Sequence, residues 1–156
     1  MSGTPATRAL TEAGVAFELR TYAYDPTAER IGLQAAEALG EPPHRVLKTL
    51  LAKVDGKPVC VVLPSDREVS MKKLAAALSG KSAEMMAPAD AERMTGYRIG
   101  GVSPFGQKRR VPTAIEQSVL AEPYVYMNGG QRGLQVRLAP EAARAAMSAI
   151  AADIVA

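Results

Sequence analysis

Apolar and polar positions along this chain repeat with two different periods, and the changes of period mark its elements. In VAFELRTYAY, Val15, Phe17 and Leu19 alternate with polar neighbours, the period of two that a half-buried strand requires, and the run closes at the Asp25-Pro26 turn. VLKTLLAKV and KPVCVVLP are apolar and rich in β-branched residues, and the Asp55-Gly56 pair between them predicts a hairpin of central strands. YVYMN and LQVRL flank the glycine-rich GGQRG and predict a second hairpin. Helical spacing rules elsewhere. Thr4 and Pro5 supply a cap and a first-turn proline for a short helix that Gly14 ends. Leu33, Ala36 and Leu39 recur at helical intervals before Gly40 and Pro42-Pro43 forbid continuation. Met71, Leu74, Ala75 and Leu78 follow Ser70 as a cap and stop at Gly80, and Pro88 to Thr95 reads as a brief helix ended by Gly96. The alanine-rich tail from Ala139 to Ala156 is expected to be helical, with its apolar stripe facing inward.

Helices and strands therefore interleave, but at least two strand pairs are hairpins, so the sheet cannot be all parallel. The expected fold is mixed α/β with a curved sheet. The chain has 156 residues, 47% of them apolar and 22% charged, and it shows no repeat, low-complexity tract or linker, which implies a single domain over 1–156. No segment approaches the ~18 consecutive apolar residues of a membrane helix, and MSGTPATRAL lacks a basic start with an apolar run behind it. A cytoplasmic protein with no membrane partner is the expectation.

Cys60 is the only cysteine and His44 the only histidine. An internal disulfide is thereby excluded, and Ser-His-Asp or Cys-His catalysis lacks its imidazole beside a nucleophile. One Cys and one His are too few soft ligands for tetrahedral zinc, so no metal and no cofactor are expected. Cys60, inside VCVVL, reads most simply as a small core residue, and His44 as exposed.

Two features point toward chemistry. Lys48 interrupts the apolar run VLKTLL: it either snorkels from a wet face or aims its ammonium into a cleft, where it would bind a phosphate or polarise a carbonyl. GGVSPFGQKRRVPT packs Gly100 and Gly101, whose amides are candidates for an oxyanion hole, against a stiff Ser103-Pro104 turn and the cations Lys108, Arg109 and Arg110. The same stretch is also readable as an exposed loop with solvated charges. Arg98, Lys72, Lys73 and Lys81 would add to a phosphate-binding face if the fold gathered them, and with two Phe and no Trp any nucleic acid would be gripped by phosphates and shape. Tyr22 and Tyr24 share a face by period two and are placed to rim one pocket.

Read together, TYAYDP, VLKTLL, the long run from Met71 to Thr113 that contains TGYRIGGVSPFGQKRRVPT, and NGGQRGLQV resemble the YbaK/EbsC family of prolyl-tRNA-synthetase-associated editing domains along nearly the whole chain. The resemblance implies a curved, barrel-like mixed sheet surrounded by short helices, and a trans-acting aminoacyl-tRNA deacylase that clears Cys from mischarged proline tRNA. It places the family's essential lysine at Lys48 and lines the pocket with Tyr22, Ile31, Gly100, Gly101, Ser103, the turn Asn128, Gly129 and Gly130, and Gln135. Lys108, Arg109 and Arg110 would attend the tRNA, and prolyl-tRNA synthetase is implied as a transient partner. Ile31 stands where a Phe is familiar, and Asn128 and Gln135 where relatives carry Ser and Asp. In that reading the cysteinyl thiol of the substrate attacks its own ester carbonyl, compensating for the missing histidine. A water-using deacylase of Ala-tRNA(Pro) and a non-catalytic tRNA- or synthetase-binding module are the rival readings.

Overall fold

Residues 3–27 and 31–156 are described by the computed structural model. Thr4 caps α1 (Pro5–Glu12) as its sequence predicts: its hydroxyl accepts from the Thr7 N–H at 3.1 Å, and the Thr7 hydroxyl accepts from the Thr4 N–H at 3.0 Å. There follow β1 (Glu18–Thr21), α2 (Ile31–Leu39), a 3₁₀ turn (Pro43–Arg45), β2 (Leu47–Val54), β3 (Lys57–Pro64), α3 (Met71–Ala77), β4 (Ala83–Met85) and α4 (Pro88–Thr95). The chain closes with β5 (Thr113–Glu116), a second 3₁₀ turn (Gln117–Ala121), β6 (Val125–Asn128), β7 (Leu134–Leu138), α5 (Pro140–Met147) and β8 (Ile150–Ala152).

The strands make a five-stranded sheet of order β4-β2-β3-β5-β8 and a three-stranded antiparallel sheet of order β1-β7-β6. Both expected hairpins are present: Leu47 pairs with Pro64 through Val54 with Lys57, and Val125 pairs with Leu138 through Asn128 with Gln135. β5 runs parallel to β3 and to β8, so the larger sheet is mixed. The two sheets meet at one parallel bridge between Val46 and Tyr126. Among the described residues no further pair extends that bridge, so the strands form two open sheets rather than the single barrel-like sheet expected.

Alternation on β2 and β3 sorts side chains to two cores. Leu47, Leu51, Cys60 and Val62 join Met127 and Val136 of the smaller sheet between the two sheets, while Ala52, Val54, Val61 and Leu63 pack with Leu74 of α3 on the other face. Each fully buried Leu or Val contributes roughly 1.5–3 kcal/mol, which is what holds two open sheets face to face without closure.

Two expectations need correction. The alternating run after Gly14 gives only a four-residue edge strand, β1, because Val15 and Phe17 reach the core from the segment leading into it and Leu19 lies on the outer face, 45% exposed. The C-terminal tail is not one helix: α5 stops at Met147, Ser148 takes φ +53, and the chain turns into β8, pairing Ala114 with Ile150 and Glu116 with Ala152. Alanine favours the helix locally by only tenths of a kcal/mol per residue, whereas β8 satisfies the open backbone edge of β5 and lets Ile154 and Val155 enter the core under α3.

Buried Glu116 fastens that tail, accepting from the Ile154 N–H at 3.1 Å with one oxygen and from the Ser118 N–H at 3.0 Å with the other. Glu116→Ala is expected to cost roughly 1.5–3 kcal/mol in urea unfolding, the value of hydrogen bonds to a charged group, with Glu116→Gln losing less. A variant as stable as the parent would show that the strand is held by its side chains alone.

Candidate functional site

β2 is paired along its whole length with β3 but with β4 only from Ala52 to Val54, so the Leu47–Leu51 edge on the β4 side has no partner strand. A cavity of ≈ 440 Å³ runs beside this edge. Its walls bring together Tyr22, Lys48, Gly100, Asn128 and Gln135, residues that lie far apart in sequence and that the sequence singles out. Ile31 opens α2, but its side chain lies outside the described residues.

Lys48 is one fifth exposed, and its Nζ stands 3.7 Å from Glu68 Oε1 at the mouth of the cavity. Gly100 lines the same cavity at φ +91, where an added Cβ would come 2.5 Å from the Tyr24 hydroxyl. Among the described residues the Gly100 N–H has no hydrogen-bond acceptor, and its carbonyl accepts from Asn128 Nδ2 at 3.3 Å. Two further polar atoms are buried beside this cavity without partners, Gln135 Oε1 and Thr49 Oγ1. A buried acceptor or hydroxyl left unmade costs about 1–3 kcal/mol, so these two atoms are open to hydrogen bonds from water or from a molecule in the cavity. Burial pushes the Tyr22 phenol above its ordinary range, opposed by a hydrogen bond from Gln135, so it faces the cavity in its neutral form.

Four sequence-selected residues stand behind the cavity instead of on its wall. The Gly101 N–H donates to the Arg98 carbonyl at 2.8 Å, so it cannot serve as a second free amide, and its absent side chain admits the backbone of Gln131 and Arg132. Ser103 is fully buried, with its hydroxyl accepting from the Phe105 N–H at 3.1 Å, which stiffens the turn. The Gly129 N–H donates to the Leu134 carbonyl at 2.9 Å, and the Gly130 N–H donates to Asn128 Oδ1 at 2.6 Å. Asn128 thus ties the β6–β7 turn to the Gly100 turn, its amide nitrogen donating to one and its amide oxygen accepting from the other. Glu68, Thr49, Met85 and Ile99 line the cavity without having been singled out; only Thr49, a polar residue on the apolar face of Leu47 and Leu51, carries a signal in the sequence.

The α2 wall is anchored from below. Glu41 accepts from the Tyr124 hydroxyl at 3.0 Å and from the Tyr126 hydroxyl at 2.9 Å, while Tyr124 lies between the guanidiniums of Arg45 and Arg137, 5.0 and 4.0 Å from its ring centre. Lys108, Arg109 and Arg110 are all exposed, but they diverge: Lys108 and Arg109 line a groove with Lys53 and Arg93, and Arg110 donates to Ser148 Oγ at 3.1 Å. His44 is exposed and 3.5 Å from Glu122. Among the described residues no group of three His, Cys, Asp or Glu side chains is placed to hold a metal ion.

Cys60 is buried, and loss of solvation pushes its thiol up to about 11. Native protein is expected to resist a thiol reagent at pH 8 and to react fully once denatured; fast labelling of the folded state would contradict this placement. Gly101→Ala puts a Cβ 2.8 Å from the Arg132 backbone nitrogen and is expected to lower stability by roughly 1–3 kcal/mol, read as a fall in Tm of about 2–4 °C per kcal/mol. An unchanged Tm would mean that the 131–132 turn yields freely.

Comparison with known proteins agrees with this layout. The Aminoacyl-tRNA editing domain family matches residues 26–146. EbsC of Enterococcus faecalis, described as a candidate Cys-tRNA(Pro)/Cys-tRNA(Cys) deacylase, is 41% identical over 109 residues, 69% of this chain and 66% of that protein. A proline–tRNA ligase of Nitratidesulfovibrio vulgaris is 35% identical over 106 residues, 68% of this chain and 17% of the ligase. The chain thus spans just under two thirds of the length of the first relative and a small part of the second. The solved structure of a candidate trans-editing enzyme for prolyl tRNA synthetase superposes with a TM-score of 0.85 at 22% identity, covering 100% of this chain and 99% of that one, which establishes the fold. The matched span contains Lys48, Gly100, Asn128 and Gln135, and the chain that builds this cavity from them belongs to the aminoacyl-tRNA editing domain family.

Proposed function

We propose that this protein is a trans-acting aminoacyl-tRNA deacylase whose substrate is Cys esterified to proline tRNA, with Cys-tRNA(Cys) as a second substrate. The observation that carries the reading is the cavity: an ammonium at Lys48, an amide at Gly100 without an acceptor, and two partnerless polar atoms at Thr49 and Gln135 surround one space of ≈ 440 Å³. That set suits an aminoacyl ester, which offers a carbonyl oxygen to the amide, donors on its α-ammonium and ribose hydroxyl to the polar atoms, and ribose and phosphate oxygens to the ammonium.

The substrate supplies the nucleophile. Its thiolate attacks the ester carbonyl, a carbon–sulfur bond forms as the bond to the terminal ribose oxygen breaks, and the proton given up by the thiol ends on that oxygen. Water then opens the resulting cyclic thioester to free cysteine. Gly100 and Lys48 stabilise the charge that develops on oxygen, and the closed walls hold thiol and carbonyl in contact, where orientation supplies much of the acceleration. A prolyl ester has no thiol and is spared by chemistry, a discrimination larger than the ~1–3 kcal/mol that one methylene in a pocket provides. Lys108, Arg109 and Arg110 are assigned to the tRNA, and prolyl-tRNA synthetase is assigned as a transient partner that releases the mischarged product.

The test is deacylation of proline tRNA charged with Cys, Ala or Ser. The Cys ester should be cleared fastest, and Lys48→Ala should lower kcat/KM by about 10²–10³, the loss typical for removing one group that stabilises an oxyanion. Equal clearance of the Ala ester would replace the thiol route by a water-using deacylase. Undiminished activity in Lys48→Ala would remove the catalytic role assigned to this residue, and a parent protein that binds tRNA yet clears none of the three esters would be a non-catalytic binding module.

A further inference from the structure

We propose that α4 is a saddle over which the single-stranded, aminoacylated 3′ end of the RNA is laid: its last base sits on an apolar rim at Met85 and Ile99, and its preceding phosphates occupy a basic groove on the far side of the helix. The inference rests on the deacylase reading and assigns the path by which the ester reaches the cavity.

Three observations carry it. Met85 and Ile99, 47% and 42% exposed, are two of the large apolar side chains that the described surface leaves in water, and both stand on the wall of the cavity. An apolar seat without hydrogen-bonding groups is sequence-indifferent and suits the apolar face of a nucleobase whose ribose carries the ester inside. Second, α4 turns Pro88 and Ala91 to the cavity and Asp90, Arg93 and Met94 to a groove on its other side, as 100° per residue requires. Third, that groove gathers Lys53, Arg93, Lys108 and Arg109 from three separate segments, with Asp90 as its one acid, paired with Arg93, and Met86 forms part of both spaces. The net charge of the groove is three positive, from four cations less one carboxylate.

The dimensions agree. A helix with its side chains is about 10 Å across, and stacked nucleotides advance about 3.4 Å each, so roughly three nucleotides bridge the saddle. Arg110, which reaches Ser148 on the α5 side, does not line this groove, although it shares a neighbouring recess with Arg109. Two guanidiniums and two ammoniums with no built cradle suit a phosphate backbone held by charge and not by sequence.

The groove and the cavity are tested by separate readouts. Fluorescence anisotropy with an uncharged single-stranded RNA oligonucleotide reads the groove. Lys53→Gln, Arg93→Gln, Lys108→Gln and Arg109→Gln combined should weaken binding about 10–100-fold at low salt and lower the slope of log affinity against log salt by up to about 0.7 for each cation removed; Arg8→Gln on α1 should do neither. Deacylation of an aminoacyl nucleoside reads the rim: Met85→Ser with Ile99→Ser should raise KM several-fold at unchanged kcat. Wild-type RNA affinity and salt slope in the four-cation variant would overturn the proposal, as would displacement of the strand by inorganic phosphate at equal ionic strength. A parent protein that binds the strand through these cations yet leaves every aminoacyl ester intact defeats the deacylase reading alone.

Discussion

A central strand paired along one edge and for only three residues along the other is the constraint on which this structure turns. Edge backbone is a liability that proteins cover or charge. Here the edge of β2 beyond Ala52 is covered by α2 on one side and by the segment of Met85, Met86 and α4 on the other, with a space left between the covers. The cavity is therefore the remainder of an unfinished sheet, and its walls are stiff because the opposite edge of β2 is locked to β3 for eight residue pairs. Lys48 and Thr49 face different cores, yet both border the gap because the strand itself forms its wall.

The opposing wall owes its shape to glycines and one amide. Gly100 and Gly101 admit Tyr24 and the Gln131–Arg132 backbone at distances that a Cβ would occupy, and Asn128 clamps the two turns with bonds from both ends of its side chain. The Gly100 amide has no acceptor among the described residues, whereas its neighbours at Ile99 and Gly101 donate to Glu92 and to the Arg98 carbonyl. Preorganisation of this kind costs little at the moment of reaction, since the donors are already fixed when charge develops.

Charge is distributed to match. The cavity holds Lys48 with Glu68 close by, and a groove outside it is lined by Lys53, Arg93, Lys108 and Arg109. The network of Glu41, Tyr124, Arg45 and Arg137 closes its charges on itself and works as an anchor for α2. Four cations and one carboxylate are thereby gathered in a groove that shares Met86 with the cavity.

Local signals in the sequence determined the caps at Thr4 and Ser70, the Asp55-Gly56 hairpin, the limits of α4, the inertness of Cys60 and the absence of a histidine-based nucleophile, because each depends on residues within a few positions of one another. Lys48, Gly100, Asn128 and Gln135, which line the cavity, were legible in the sequence, Lys48 as a charge inside an apolar run, Gly100 as half of a glycine pair in a stiff turn, and Asn128 and Gln135 through the family pattern. Only the tertiary structure decided that Gly101, Ser103, Gly129 and Gly130 are spent on turns, that Glu68 and Thr49 border the cavity, that the alanine-rich tail ends as a strand, and that the cation triplet splits. The reason is common to all four: which backbone group finds a partner, and on which side of a helix a charge emerges, is set by segments distant in the chain, where local propensity has no say.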